Sequence, residues 1–356
     1  MPVKAQRVSK KMDNVTWCRP SEGYDTDNAI EVELGDYMEV CTVPGELPEN
    51  DRTWPQGAPM TGYVKVGDKI YMKEQLVVQN VFDMNPDTPI YRILPIKHLI
   101  QDVADGKVTI GRVIAWEDTH EAAFYRRNVV LPRTNQLVGL DLLARDWFGQ
   151  CWMTVKESDA MWRIYNADGL SVRISTTPRI LISQVFKGRC RLTPSYSDLA
   201  WISIYLGKVK YYPEDKFRKE MEMGVSNTFD SSGKAIARQM LKKRDPFDHE
   251  REVRFLYHAH TKQGGLSQPP GDIELLSAEN LSDFQIGCSV VRLPRFIRLP
   301  FDWKCITEAM IGPRAPQDAA RYIQTVLRVF APWILVSQST LYGKPNYKAF
   351  FDGDHL

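Results

Sequence analysis

No apolar run in the 356 residues approaches the roughly 18 residues that a membrane-crossing helix needs, so no membrane span is expected. The basic start, Met1 to Met12, has no apolar segment behind it and does not read as a secretory signal. The six cysteines, at 18, 41, 151, 190, 288 and 305, include no C-x-x-C pair and none has a histidine at zinc-finger spacing. A disulfide framework and a zinc ribbon therefore lose their usual support, and free thiols in a reducing, cytoplasmic setting are expected. G-x-G-x-x-G, the Walker loop, G-x-S-x-G and H-E-x-x-H are all absent, which removes the common dinucleotide, nucleoside-triphosphate, serine-hydrolase and zinc-peptidase signatures. His249, His258 and His260 cluster in sequence without further ligands at matching spacing, so no metal is expected. Cys151 alone makes no case for thiol catalysis.

A large charge imbalance is also missing. The net charge is +2, too small to indicate nucleic-acid binding by itself. The distribution is uneven, however: residues 208–244 hold ten Lys or Arg against five Asp or Glu. That stretch is either a solvated surface or a site for phosphate or nucleic acid.

What remains is an ordinary globular composition, 43% hydrophobic and 25% charged, with nine tryptophans and 15 tyrosines. The length allows one large domain with elaborations, or two domains. Residues 1–60 look irregular, punctuated by Pro44, Pro48, Pro55 and Pro59. Around Gly67-Asp68, the pairs Val64/Val66 and Ile70/Met72 predict a hairpin. We take 1–85 as an extension or small β-rich subdomain, 86–345 as the main domain and 346–356 as a tail. In the main domain, Pro89 to Leu94 reads as a strand, Ile96 to Val103 as a helix stopped at Asp105-Gly106, and Val108 to Gly111 as a second strand. Leu170, Val172 and Ile174 alternate with polar residues, predicting a half-buried strand. Ser231-Ser232 can cap a helix carrying Ile236, Met240 and Leu241. A strand over 306–311 is followed by a helix with the stripe Ala319, Tyr322, Ile323, Val326, Leu327 and Phe330, and by a strand over 333–336.

Three motifs can carry chemistry. A strand over Glu250 to His258 puts Glu250, Glu252 and Arg254 on one face and Val253, Phe255 and Tyr257 on the other. Two carboxylates in a row can orient a ribose hydroxyl or stabilise a cationic transition state; the plain alternative is an ion-paired strand face. In Met161-Trp162-Arg163-Ile164-Tyr165, helical spacing puts Trp162 and Tyr165 on one side, as a stacking wall or as core packing. Tyr91-Arg92 opens the strand–helix unit, where an arginine suits bidentate phosphate contact; the alternative is a surface arginine beside a buried tyrosine.

In order and spacing these motifs resemble a bacterial and phage family, domain-of-unknown-function family 2971. The matching pieces are Tyr91-Arg92, Cys151-Trp152, the M-W-x-x-Y at 161–165, Gly169 with Leu170 to Ile174, Val209-Lys210-Tyr211, the E-x-E-x-R at 250–254, and Ile311-Gly312-Pro313. Trp116 to Phe124 stands where that family often has an Asn-Asp-Pro-Phe-Glu-like element. A weaker resemblance, to ADP-ribosyltransferases, lies in the order Arg92, Tyr165, Glu252. It implies that Arg92 holds the dinucleotide, with Tyr91, Trp162 and Arg254 also binding the cofactor, that Trp162 or Tyr165 flanks nicotinamide, and that Tyr165 joins Glu252 and Glu250 as a catalytic residue. It further implies that Glu252 binds the ribose and Glu250 orients or deprotonates an acceptor. The expectation is thus an α+β fold, ADP-ribosyltransferase-like, with a central, mainly antiparallel or split sheet flanked by helices. NAD is the expected substrate, for a transferase or NAD glycohydrolase acting as a toxin or phage-conflict effector. A nucleic-acid-binding or nuclease-like protein and a non-catalytic interaction module are the rivals. All functional readings depend on Trp162 and Glu252 lining one hollow.

Overall fold

The computed structural model describes residues 77–344, apart from 78, 117, 119, 122, 127, 131–136, 167–168, 193–203, 223–233, 260–280 and 287–288, and the backbone of five strands between residues 15 and 73. Those five form an antiparallel sheet in the order Val15–Thr16, Tyr63–Val66, Lys69–Lys73, Asn28–Glu33, Val40–Pro44. The expected hairpin is there, with Val66 opposite Lys69. Three strands also lie where the sequence looked irregular. Ile30 and Val32 alternate with glutamates, and Val40 to Val43 is rich in β-branched side chains that fit a pleated surface. The prolines do not interrupt these strands: Pro44 is the last residue of its own.

The main sheet has ten strands and is mixed but mainly antiparallel. In chain order they are β1 (Val81–Phe82), β2 (Ile90–Pro95), β3 (Lys107–Arg112), β4 (Trp147–Met153), β5 (Ser171–Thr176), β6 (Ile204–Lys208), β7 (Glu252–His258), β8 (Phe296–Pro300), β9 (Glu308–Ile311) and β10 (Leu335–Gln338). Across the sheet they run β10-β9-β5-β2-β4-β7-β6-β1, with β3 branching from β4 and carrying β8. The strand–helix–strand unit expected near residue 90 forms as β2, α1 (Ile96–Asp105) and β3. Gly106 ends α1 with φ +60°, a left-handed conformation open to glycine without steric cost. The C-terminal unit forms as β9, a helix Gln317–Phe330 and β10, with β9 and β10 parallel. That helix buries Ala320, Ile323 and Leu327, whereas Tyr322 and Phe330 of the expected stripe are exposed.

One face of the sheet holds Phe148, Trp152, Ile174, Val253, Phe255 and Tyr257 against Leu99, Leu181, Val185, Ile323 and Leu327 of the helices. A second cluster gathers Trp147, Tyr205 and Leu256 with Phe124, Tyr125 and Met240. β5 was expected to be half-buried, yet Ser171 and Arg173 are buried with Val172 and Ile174. The reason is position: β5 lies inside the sheet between β2 and β9, and Arg173 is held there by donating from Nη1 to the Lys156 carbonyl and lying 4.9 Å from the Tyr91 ring centroid. The helix Lys234–Gln239 is present; its proposed Ser231-Ser232 cap lies outside the described residues.

The feature that makes a site is a split in the sheet. β4 pairs with β7 along all of Trp147 to Met153. On its other edge β4 meets β3 only at Phe148 and Gly149, and β2 only at Met153. Between those contacts, Gln150, Cys151 and Trp152 have no strand partner on that side among the described residues, because β2 and β3 diverge to either end of α1. The fold is therefore α+β with a split sheet.

Candidate active site

A cavity of about 900 Å³ opens at the split, lined by the unpaired stretch of β4 and by β2, α1 and β3. Its walls also include Trp116, Phe296, Met161, Tyr165, Glu250 and Glu252. The volume is in the range of small-molecule sites. At the point of the split, Gly111 and Gly149 face each other across β3 and β4. A Cβ on Gly149 would stand 2.8 Å from the Trp116 ring and 3.1 Å from the Phe255 carbonyl oxygen, so a bare backbone is what lets Trp116 lie against the floor.

Arg92, on β2, lines this cavity half-buried. Its guanidinium has no hydrogen bond or ion pair among the described residues. Burial lowers its pKa while the nearby Asp102 acts to raise it. Asp102 itself is engaged elsewhere, accepting from Thr109 Oγ1 at 2.6 Å and from Arg298 Nη2 at 3.3 Å. The guanidinium is thus left with donors free for an anion, which it can contact in bidentate fashion.

The acidic end is more elaborate than a strand face. The strand starts at Glu252, and Glu250 ends a 3-10 turn, Asp245–Glu250. Arg251 between them has φ +46°, a left-handed conformation costly for a side-chain-bearing residue. This kink removes the expected strand alternation at Glu250, yet both carboxylates still meet one ammonium. Lys243 Nζ lies 2.7 Å from Glu250 Oε2 and 3.4 Å from Glu252 Oε2. Glu121 Oε1 is 2.8 Å from the same ammonium and 2.9 Å from Arg254 Nη2. Arg254, as expected on the face of Glu252, donates to both of its oxygens, Nε to Oε1 at 2.8 Å and Nη2 to Oε2 at 3.0 Å. It also donates to the Met240 carbonyl and lies 4.4 Å from the Trp116 ring centroid.

Burial acts to raise the pKa of Glu252, but Arg254 and then Lys243 override it and hold the carboxyl at about 2. Glu252 is therefore ionised at every physiological pH. Glu250 goes the other way: burial lifts its pKa, and the attraction of Lys243 does not fully offset that. Cys151 reaches into the same corner, its thiol raised by burial and then by the nearby Glu252 carboxylate. Tyr211 accepts the Glu252 backbone N–H at 2.8 Å. Two adjacent carboxylates with opposite pKa displacements can divide the roles of charge stabiliser and base.

Not every expected site residue reaches the cavity. Glu250, Glu252, Tyr165 and Arg92 do. Trp162 does not: it is 3% exposed, packs with Ile93, Met153 and Met161, and donates from Nε1 to Glu157 Oε1 at 3.3 Å, so the expectation that Trp162 and Glu252 line one hollow fails, and Tyr165 is the residue of that motif that shares the cavity with Glu252. In the short helix Asp159–Tyr165 the sheet-facing positions are Met161 and Trp162, and Tyr165 reaches the cavity from the last turn. Tyr91 points to the same satellite core. Arg254, wholly buried, acts from behind Glu252 and not on the cavity surface. Sequence reasoning missed Trp116, Glu121 and Lys243. Trp116 and Glu121 lie in the 116–124 segment, which matched no motif, and Lys243 lies in the basic stretch 208–244, and only pairing through space gives each its place. Of the basic stretch 208–244, Lys210, Lys242, Lys243 and Arg244 are spent on Asp83, Glu220, the acidic cluster, and Asp118 with Glu214. Among the described residues no group of three His, Cys, Asp or Glu is placed to hold a metal ion, and His258 instead stacks on Trp147 at 4.8 Å. No helix there is long and apolar enough to cross a membrane.

No family model and no curated protein matches the chain, so the likeness to family 2971 stands on its motifs alone. Among solved structures, the chain is similar to DarT from Thermus sp. 2.9 in complex with NAD+, at 11% identity and a TM-score of 0.27, over 72% of this chain and 97% of that one. DarT with ADP-ribosylated single-stranded DNA aligns at 10% identity and a TM-score of 0.28, over 71% and 94%. DarT with carba-NAD+ aligns at 10% and 0.27, over 72% and 96%. Overlaps this loose assign no residue roles.

Proposed function

We propose that the protein cleaves the nicotinamide–ribose bond of NAD and passes ADP-ribose to water or to a macromolecular acceptor. The observation that carries this reading is one cavity lined by Arg92, whose guanidinium has no partner among the described residues, together with an acidic pair, Glu250 and Glu252. A dinucleotide asks for both: a cation for its diphosphate and anions where its ribose becomes positively charged. Trp116, Phe296 and Tyr165 supply apolar walls for a planar ring. The unpaired edge of β4 leaves main-chain polar groups available to an amide.

In this reading the C–N bond breaks with its electron pair going to the nicotinamide nitrogen, which neutralises the pyridinium. The oxocarbenium-like ribose that remains is stabilised by Glu252, whose charge is held permanently by Arg254 and Lys243. The acceptor O–H attacks the anomeric carbon and its proton passes to Glu250, a stronger base than an ordinary glutamate because burial raises its pKa. The purified protein is expected to bind NAD and release nicotinamide, measured by chromatography. Glu252→Gln is expected to stop release while circular dichroism shows the fold intact. Unchanged turnover in a folded Glu252→Gln would remove Glu252 from this role.

A nucleic-acid acceptor is the second reading, motivated by Lys208, Arg218 and Lys219, which are exposed and have no ion pair among the described residues. Oligonucleotide binding that weakens steeply with salt is its measure.

A further inference from the structure

Lys243 is a cation that the reaction just described uses only in passing, yet its surroundings are unusual. It is 7% exposed and in contact with three carboxylates, Glu121 from one part of the chain and Glu250 and Glu252 from another. The Phe247 ring centroid lies 4.8 Å from the ammonium. A lysine has three N–H donors and no acceptor, so three carboxylates can saturate it. The second cation of the cluster, Arg254, binds Glu252 and Glu121 but not Glu250. Glu252 therefore keeps a cationic partner without Lys243, and Glu250 does not.

We propose that Lys243 is a positioning residue of this site, holding Glu250 beside Glu252 and keeping Glu250 ionised so that it can take the acceptor's proton. This rests on the function proposed above. Around Glu250 the other charged groups act against its ionisation or are already committed. Glu252 and Glu121 are anionic neighbours, and Arg254 lies behind them. Tyr165, Tyr211 and Cys151 hold their protons, each pushed up first by burial and then by neighbouring carboxylates. On its own turn, Asp245, Asp248 and His249 contribute no cation in contact with it. With Lys243 in place, burial already lifts the Glu250 pKa. Removing an opposite charge at contact distance raises a carboxyl by a further 1–3 pH units or so.

The test compares Lys243→Met, Lys243→Arg and the charge-balanced double variant Glu121→Gln/Lys243→Met in the full chain. Two readouts are taken: the pH profile of nicotinamide release, and the titration of the Glu250 carboxyl by carbon-13 NMR of glutamate-labelled protein, assigned with Glu250→Gln. In the folded methionine variants both the acidic limb of the profile and the Glu250 titration are expected to move up by about 1–3 pH units. Lys243→Arg is expected to stay near the wild type. A merely structural lysine would lower the rate at all pH values without moving the limb or the titration. An unmoved Glu250 titration in either folded methionine variant overturns the proposal, and so does failure of both to fold while Lys243→Arg folds normally. If wild type releases no nicotinamide at any pH, the proposed reaction fails separately. The NMR titration then still decides whether Lys243 governs Glu250.

Discussion

Replacing Arg254 by methionine keeps much of the side-chain volume and deletes one buried charge. The wild-type guanidinium is 0% exposed and makes two bonds to Glu252, one to Glu121 and one to the Met240 carbonyl. Without it, Glu252 stays 3% exposed with only the Lys243 ammonium, 3.4 Å away, as a cation. Breaking a buried pair by removing one partner costs about 3–5 kcal/mol. The carboxyl gives a figure of the same order, to which Arg254 and then Lys243 contribute against the cost of burial. Its fall from the ordinary value of 4.5 to about 2 corresponds to roughly 3 kcal/mol, at about 1.4 kcal/mol per pH unit. The sign follows from the depressed folded pKa: this stabilisation is complete above about pH 4.5 and is lost as pH falls through about 2. In Arg254→Met, a protonated Glu252 no longer needs the missing cation. The deficit is therefore expected to be about 3–5 kcal/mol at pH 7 and distinctly smaller near pH 4, read by urea unfolding. Adding Glu252→Gln is expected to restore at least ~1 kcal/mol at pH 7, because the stranded anion goes with it. A deficit under ~1 kcal/mol at pH 7, or equal deficits at the two pH values, would refute the view that Arg254 holds a buried carboxylate.

Arg92→Ala is expected to leave unfolding nearly unchanged, since its guanidinium bonds no described residue, and to weaken dinucleotide binding roughly 10- to 100-fold by calorimetry. Equal affinity would exclude Arg92 as the anion contact. Trp162→Ala is expected to cost about 3–5 kcal/mol in unfolding, as a truncated core aromatic, with dinucleotide affinity of the folded protein unchanged; Trp116→Ala is expected to weaken dinucleotide binding and to cost less stability, because its ring packs on the second cluster and Arg254 but is only half-buried. A ligand that still binds Trp116→Ala at full strength would place the ring elsewhere.

The candidate site was legible only where chemistry and local period coincided. Glu252 and Arg254 share a face because β-strand side chains alternate, and the structure keeps that relation. The same rule failed two residues earlier, where Arg251 adopts a left-handed conformation that no β-strand reading anticipates. Helical spacing put Trp162 and Tyr165 on one side of a turn, but spacing does not say which neighbour is sheet and which is cavity. Burial of Trp162 against Ile93 and Met153 decided that. The basic stretch 208–244 read as a surplus of charge because its partners Asp83 and Asp118 lie outside it in sequence.

Local pattern alone carried the α+β class, the strand–helix–strand units over 90–112 and 308–338, and the residue types of the acidic pair. These follow from periodicity and from residues that start or stop elements, which act over a few positions. Tertiary structure alone decided that β2 and β3 part company along β4 and leave a cavity there. It alone brought Glu121, Lys243 and Arg254 around Glu252. Strand divergence and ion pairing across more than a hundred residues depend on how whole elements pack, and no local pattern encodes that.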